Sequence, residues 1–233
     1  MFPLKNLDPL RSFPVITLLL IISNFLVFFY QLSLPPAALE SFIRVYGLVP
    51  ATLAYSIAGT HHITLQQGLL PLFTCMFLHG GWLHIIGNMW FLWIFGASVE
   101  DRLGPVLYLP FYLICGIGSG LIQAFFSWGS RIPSIGASGA ISGVLGAFLI
   151  FFPRSRILTL VTLLIIWFTA RIPAVVFILL WFAIQFVSGV SQLNSPHSAN
   201  LGGVAWWAHV GGFALGLFFA ILARPATRPS YAR

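Results

Sequence analysis

The chain has 233 residues, of which 59% are hydrophobic and only 6% are charged. A soluble domain carries about 25% charged and about 45–50% apolar residues. The mean hydropathy of +0.97 leaves too little polar surface to cover a water-soluble globule. These values exclude a soluble enzyme, an intrinsically disordered chain and a nucleic-acid-binding protein, despite the net charge of +7. We therefore predict a protein embedded in a lipid bilayer.

Six apolar runs are candidates for membrane-spanning helices, each of which needs about 20 largely apolar residues. They cover residues 15–32, 82–99, 105–127, 137–153, 173–190 and 204–222. They predict an all-α polytopic membrane protein with six transmembrane helices. We expect a single domain over 1–233, with a core at about 15–222 and short cytoplasmic tails at 1–14 and 223–233.

The segments between these runs are apolar as well. The first outer loop, residues 33–81, is long and carries few charges, so we expect short helices that lie against the membrane surface. The stretch 157–170 is too short for a span and is bracketed by arginines, which indicates an interfacial segment or a hairpin loop. We interpret the first run as an uncleaved anchor, because it lacks a clear signal-peptide cleavage site and five further spans follow.

The distribution of cations predicts the orientation, because Lys and Arg favour the cytoplasmic side. With six spans and a cytoplasmic N-terminus, the outer segments hold only Arg44 and Arg131, and the other nine of the 11 Lys and Arg residues are cytoplasmic. Both termini are therefore predicted to be cytoplasmic. A compact chain of this kind is compatible with a bacterial inner membrane, and the net positive charge then requires no nucleic-acid partner.

Polar side chains cluster near the outer ends of three spans. The second span carries His84 and Asn88, which are four residues apart and share a helix face. The fourth begins with the sequence GASG at 136–139, which contains Ser138, and the sixth carries His209. Such groups are costly inside a membrane unless they face one another or water. Their similar depth predicts one shared site.

Small residues share a helix face with both reactive side chains. Ser142 and Gly146 follow Ser138 by four and eight residues, and Gly212 and Gly216 follow His209 by three and seven. Small residues at such intervals allow helices to approach closely in membranes. If the two faces meet, the serine hydroxyl and the imidazole come within hydrogen-bond reach, and an imidazole base can activate a serine nucleophile.

The pattern indicates a dyad rather than a triad. The four acidic residues fall on the cytoplasmic side or in a distant part of the first outer loop, and no His/Cys cluster suggests a metal,. The candidate donors for an anionic tetrahedral intermediate are His84, Asn88 and the backbone N–H of Ser138.

These residues resemble those of the rhomboid family of intramembrane serine proteases, from about residue 45 to 222. The matching stretches are YGLVP at 46–50, MFLHGGWLH at 76–84, NM at 88–89, FG at 95–96, VED at 99–101, GASGAISG at 136–143 and AWWAHVGGF at 205–213. Ordered motifs on three spans make the resemblance specific.

The resemblance implies that Ser138 is the nucleophile, that His209 is the general base and then acid, and that His84 and Asn88 contribute to the oxyanion hole. It also implies a six-span core that cleaves membrane-anchored protein substrates in or beside their spans, without cofactor or metal. Some family members carry a Tyr at the position of Ser142, on which the histidine stacks. The first outer loop also lacks the Trp-Arg pair of some bacterial members, so loop details are not transferred.

The remaining polar and small residues have simpler expected roles. We expect the glycines near the site to pack helices, at Gly136, Gly139, Gly212 and Gly216. His79 is expected to make a structural loop contact, Glu100 and Arg102 to tie the inner end of the second span, and the histidines at 61, 62 and 197 to be solvated. The sequence leaves two roles open for Gln185, interhelical hydrogen bonding and substrate contact. The tryptophans at 128, 206 and 207 are interpreted as interfacial anchors, although the last two could also wall the cavity.

Two other function classes are considered. A non-catalytic relative that binds membrane clients is the main alternative, but such proteins usually lack the nucleophile or the base, and both are present here. A small transporter would require an ionisable or broken helix near the bilayer midplane, whereas the polar groups here lie toward one face. The natural substrate, the cleavage sequence and the oligomeric state stay open.

Overall fold

The structure, a computed structural model, describes residues 1–163, 165–193 and 204–223. It is mostly helical. The helices are α1 (Val15–Ser33), α2 (Pro36–Tyr46), α3 (Pro50–Ala58), α4 (Leu65–Thr74), α5 (Trp82–Phe91), α6 (Ala97–Leu103), α7 (Pro105–Phe126), α8 (Ser138–Phe151), α9 (Ala174–Leu193) and α10 (Trp206–Ala223). The histidine at 197 and the tail 224–233 lie outside the described residues.

Five helices in the described part of the chain are long and apolar enough to cross a membrane. They are α1, α7, α9, α10 and the continuous helix Trp82–Leu103. In the last of these, a π-helical turn over Leu92–Gly96 joins α5 to α6. The remaining predicted span, the fourth in chain order, is α8, which has 14 residues and is apolar but shorter. The polytopic helical architecture is confirmed, and the spans begin and end within a few residues of the predicted bounds.

The first outer loop folds into the short helices α2, α3 and α4, as predicted. Thr64 forms a capping box with Gln67 at the start of α4, which satisfies backbone donors that the first helical turn leaves open,. An isolated bridge pairs Leu48 with Ser134 of the loop that precedes α8. The first outer loop is therefore bonded to the segment that carries the predicted nucleophile.

A three-stranded antiparallel sheet is the element that the sequence reading missed. Strand β2 (Arg156–Leu163) lies between β1 (Phe2–Asn6) and β3 (Ile166–Pro173). The stretch expected to be an interfacial segment or a hairpin loop thus forms the β2–β3 hairpin. The residues of β1 were expected to belong to a simple tail. Instead, the Pro3 carbonyl accepts a hydrogen bond from the Trp90 indole at 2.6 Å, which ties this strand to α5.

The acidic residue at the other end of the second span has the structural role expected for it. The Glu100 carboxylate accepts hydrogen bonds from the backbone N–H groups of Ile16 at 2.9 Å and Thr17 at 2.7 Å. A carboxylate is favourable at this place because the first N–H groups of a helix lack partners and carry partial positive charge. The Arg102 guanidinium lies 5.4 Å from the ring centroid of Phe151. These contacts join α6 to α1 and α8.

The core surrounds α8. Nearly every residue of α8 is buried, and its closest neighbours are α10 and α7. Helices at the periphery, such as α9, expose large apolar side chains, as lipid-facing helices do,. The central position of α8 places its first residue in the interior of the helical bundle.

Candidate active site

The first residue of α8 meets the first turn of α10. The Ser138 Oγ lies 2.7 Å from Nε2 of His209, although the two residues are 71 positions apart in the chain. The imidazole is buried, with 7% of His209 exposed, whereas Ser138 is partly exposed. The structure therefore brings the predicted nucleophile and base into hydrogen-bond contact.

Glycines allow this contact, because they let the backbones of α8 and α10 touch. A Cβ at Gly212 would overlap the carbonyl oxygen of Gly139, and a Cβ at Gly216 would overlap that of Gly143. The face of α8 that meets α10 is thus formed by Gly139, Gly143 and the expected Gly146, where an added Cβ would overlap the Phe213 carbonyl oxygen. The Ser142 hydroxyl instead donates to the Ser138 carbonyl at 2.6 Å.

The other imidazole nitrogen has a partner that the sequence reading left unassigned. Nδ1 of His209 lies 2.7 Å from Oε1 of Gln185, which is buried on α9. The Trp181 ring lies 5.8 Å from the imidazole at an interplanar angle of 37°, and the Trp206 ring approaches edge-on at 6.3 Å. The two tryptophan rings thus flank the imidazole of His209.

His84 is oriented by the loop that precedes it. The backbone N–H of Gly80 donates to Nδ1 of His84 at 3.3 Å, so the ring proton resides on Nε2,. That nitrogen points at the turn before Ser138. A Cβ at Gly136, whose φ is +122°, would lie only 2.6 Å from it. Gly136 therefore lies outside the helix–helix contact and instead lets the chain pass close to this donor.

Asn88 lies beside His84 and has its own supporting contact. A Cβ at Gly136 would lie 3.6 Å from the Asn88 Nδ2, so the amide also faces this turn. Asn88 Nδ2 is 3.0 Å from Nε2 of His79, and the neutral ring can accept this bond. Burial, and secondarily the neighbouring His84, lower the pKa of His79 to about 4, so this ring is neutral at pH 7.

His79 is itself fixed by α1. The Gln31 side chain accepts from the His79 backbone N–H at 3.0 Å and donates to its carbonyl at 3.2 Å. The structural contact expected of His79 is confirmed, and its ring additionally orients Asn88. Sequence reasoning could detect the polar character of Gln31 within an apolar helix, but no local pattern indicates its partner 48 residues away.

The arrangement supplies the parts that acyl transfer needs. A hydroxyl is bonded to an imidazole, and the side-chain N–H donors of His84 and Asn88 face the turn that precedes this hydroxyl. Within the described residues, no group of three or more His, Cys, Asp or Glu side chains could hold a metal ion. The chemistry that these residues can perform by themselves is nucleophilic catalysis with general acid–base assistance.

The Rhomboid domain model matches residues 66–226. RHOMBOID-like protein 1 of Arabidopsis thaliana is 36% identical over 183 residues, which cover 76% of this chain and 42% of that protein. Rhomboid protein 1, mitochondrial, of Saccharomyces cerevisiae is 30% identical over 61% of this chain and 38% of its own length. Presenilin-associated rhomboid-like protein A, mitochondrial, of Danio rerio is 33% identical over 57% of this chain and 35% of its own length.

The aligned part of this chain thus spans less than half the length of each of these relatives. The family match nevertheless covers most of the chain, and it contains all three helices that carry the site. By this match, and by its membrane-spanning helices, the chain is a polytopic membrane protein of the rhomboid family.

Proposed function

We propose that this protein is an intramembrane serine endopeptidase, in which a Ser-His dyad hydrolyses a peptide bond in or beside the membrane span of an anchored protein substrate. The observation that carries the proposal is the 2.7 Å contact between Ser138 Oγ and His209 Nε2. A serine hydroxyl is a weak nucleophile unless a base lies within this reach. Membership of the rhomboid family supports a proteolytic function of the intramembrane type.

In the proposed mechanism, the Ser138 oxygen attacks the scissile carbonyl carbon while its proton passes to Nε2 of His209. The negative charge that forms on the carbonyl oxygen is stabilised by N–H donors of His84 and Asn88 and by the Ser138 backbone N–H. Collapse of this intermediate breaks the C–N bond, and the imidazolium gives its proton to the leaving amine. Water then attacks the acyl-enzyme with His209 again as base, which releases a carboxylic acid product and restores the serine.

The substrate must be partly unwound before it can react. A helical span uses its carbonyl groups in its own hydrogen bonds, and an unsatisfied backbone group in lipid costs several kcal/mol. Substrates should therefore carry residues of low helix propensity near the cleavage site. Water must also reach the dyad, and the partial exposure of Ser138 at the end of α8 is consistent with a route from the adjacent aqueous phase.

The orientation in the membrane follows from the charge distribution. Lys and Arg favour the cytoplasmic side, so we place both termini in the cytoplasm and the dyad toward the outer leaflet. We propose a bacterial inner membrane as the location, and a reaction without cofactor. Relatives whose names include the word mitochondrial make a mitochondrial membrane the alternative location.

Fluorophosphonate labelling of the purified protein tests the proposal. The parent should be labelled, and Ser138→Ala and His209→Ala should abolish or nearly abolish labelling. Ser142→Ala is the matched control, because it removes a hydroxyl one helical turn away and should leave labelling within about twofold. Equal labelling of the parent, Ser138→Ala and His209→Ala would remove the protease assignment. Binding of an anchored substrate without labelling or cleavage would instead favour the client-binding alternative.

A further inference from the structure

We propose that Gln185 is a positioning residue of the dyad, which holds His209 in the tautomer that can accept the serine proton. This inference rests on the proposed function, since it assigns a role to a residue within that reaction. Gln185 lies on α9, whereas the proposed nucleophile, base and oxyanion side chains lie on α8, α10 and α5. Its amide oxygen contacts the imidazole of His209, through which it would act.

The chemistry of the two atoms determines the tautomer. The Oε1 atom of Gln185 is an amide oxygen, which accepts hydrogen bonds and cannot donate them. It lies 2.7 Å from Nδ1 of His209, and this contact is a hydrogen bond only in the tautomer whose proton is on Nδ1. The lone pair of a neutral imidazole then lies on Nε2, which faces the Ser138 hydroxyl at 2.7 Å. This is the tautomer that a general base requires.

The alternative tautomer would be inactive. With the proton on Nε2, the imidazole would donate to the serine oxygen and could not accept its proton. In aqueous solution both neutral tautomers of histidine are populated, so an unpartnered imidazole would spend part of its time in the wrong form. A fixed acceptor at Nδ1 keeps the imidazole in the active tautomer and also orients the ring, as the carboxylate does in a Ser-His-Asp triad.

Burial and composition make Gln185 the natural candidate for this role. Only 7% of its surface is exposed, and a primary amide buried in an apolar span is costly unless it is hydrogen-bonded. Its neighbours on the helix, Ile184 and Phe186, expose apolar side chains. The four acidic residues of the chain all lie outside α8, α9 and α10. A neutral acceptor therefore occupies the place at which other serine hydrolases have a carboxylate.

The same helix also provides an aromatic contact to the base. Trp181 lies one turn before Gln185, and its ring is 5.8 Å from the His209 imidazole. Two side chains at a four-residue interval on α9 thus contact one imidazole, so the position of α9 determines how the base is held. A displacement of this helix would change the orientation of the base without moving Ser138.

The test compares two substitutions that differ in how well they accept a hydrogen bond from Nδ1. Gln185→Met has a similar length but offers only a thioether sulfur, which is a weak acceptor, whereas Gln185→Glu retains an acceptor oxygen. The matched control is Ile184→Met, which changes a neighbouring side chain that is 53% exposed on the same helix. We expect Gln185→Met to lower kcat by about 10- to 100-fold with KM within about twofold, because the base is affected and substrate binding is not.

The Gln185→Glu variant distinguishes a positioning role from a merely structural one. We expect Gln185→Glu to recover at least about tenfold of the lost kcat and to move the acidic limb of the pH–rate profile to higher pH, since a carboxylate stabilises imidazolium. The control should stay within twofold of the parent. Full activity of Gln185→Met, or equal losses in the Met and Glu variants accompanied by lower thermal stability, would overturn the proposal.

A second measurement does not depend on proteolysis. ¹⁵N NMR of histidine-labelled protein, with the His209 signals assigned by difference from His209→Ala, reports the tautomer directly. We expect a single Nδ1–H form in the parent and a mixture in Gln185→Met. An identical tautomer distribution in the two proteins would overturn the proposal. A parent that neither labels nor cleaves would overturn the proposed function, whereas the spectra would still report whether Gln185 sets the tautomer.

Discussion

The Gly139–Gly212 contact predicts that one methyl group added at Gly212 moves Ser138 and His209 apart. A Cβ at Gly212 would overlap the Gly139 carbonyl oxygen, and close-packed interiors have no spare volume to absorb it,. Gly139 follows Ser138 directly, and Gly212 lies one turn after His209. We therefore expect Gly212→Ala to push α8 and α10 apart next to the reacting atoms.

The magnitude follows from the contact distances. Relief of the overlap requires the helices to separate by about 1 Å at this level, which stretches the Ser138 to His209 distance from 2.7 Å to about 3.7 Å, beyond hydrogen-bond reach. A misplacement of about 1 Å costs about 10²-fold in rate. The overpacking itself should cost about 1–3 kcal/mol in stability.

The assay is the fluorophosphonate labelling rate, together with the thermal midpoint of the detergent-purified protein. The control is Gly87→Ala in α5, where an added Cβ meets no atom within 4 Å. An alanine in open space should leave the rate unchanged and stabilise the helix by about 0.4–1 kcal/mol. A Gly212→Ala protein that labels as fast as the parent would show that this contact does not set the dyad distance.

Three further predictions concern neighbouring groups. Asn88→Ala should lower kcat by about 10²–10³-fold, as expected for loss of an oxyanion donor. A folded Asn88→Ala protein with full turnover would show that Asn88 only packs. Glu100→Ala should lower the free energy of unfolding by about 1–3 kcal/mol, because the N–H groups of Ile16 and Thr17 lose their acceptor,; chemical denaturation measures this loss, and an unchanged midpoint would contradict it. Because the pKa of His79 is about 4 in the folded protein and higher when unfolded, protonation favours unfolding, so stability should fall by up to about 1.4 kcal/mol per pH unit between pH 6.5 and 4. The thermal midpoint of the parent should therefore fall more steeply over this window than that of His79→Gln, and parallel curves would refute the assignment.

Much of the fold could be predicted from sequence because membranes impose a simple rule. Each span needs a continuous apolar run, so composition alone locates five of the long helices to within a few residues. The polar residues at the site are also visible, because ionisable and amide side chains are rare in such runs. Helical spacing further indicates that Ser138 and His209 each share a face with small residues.

The parts that sequence analysis missed depend on contacts between distant segments. Strand β1 pairs with β2 across about 150 residues, and nothing in a five-residue segment near the N-terminus indicates that partner. The Gln185 contact requires the rotation of α9 against α10, which a helix with apolar residues on all sides does not encode in its pattern. On α8, the spacing correctly included Gly146 in the face that meets α10 but missed Gly143, because Ser142 and Gly143 are both small and spacing alone cannot distinguish them.

The short length of α8 determines how deep in the bilayer the proposed reaction takes place. At about 1.5 Å per residue, its 14 residues extend about 21 Å, against about 30 Å for the hydrocarbon core of a bilayer. Arg154 follows the far end of α8 and is exposed, as expected for a residue at the headgroup level. The attacked carbonyl should therefore lie about 9 Å below the surface of the hydrocarbon core on the side opposite Arg154. This depth corresponds to about six residues of a substrate helix. Lengthening α8 by one turn should move the cut toward the headgroups.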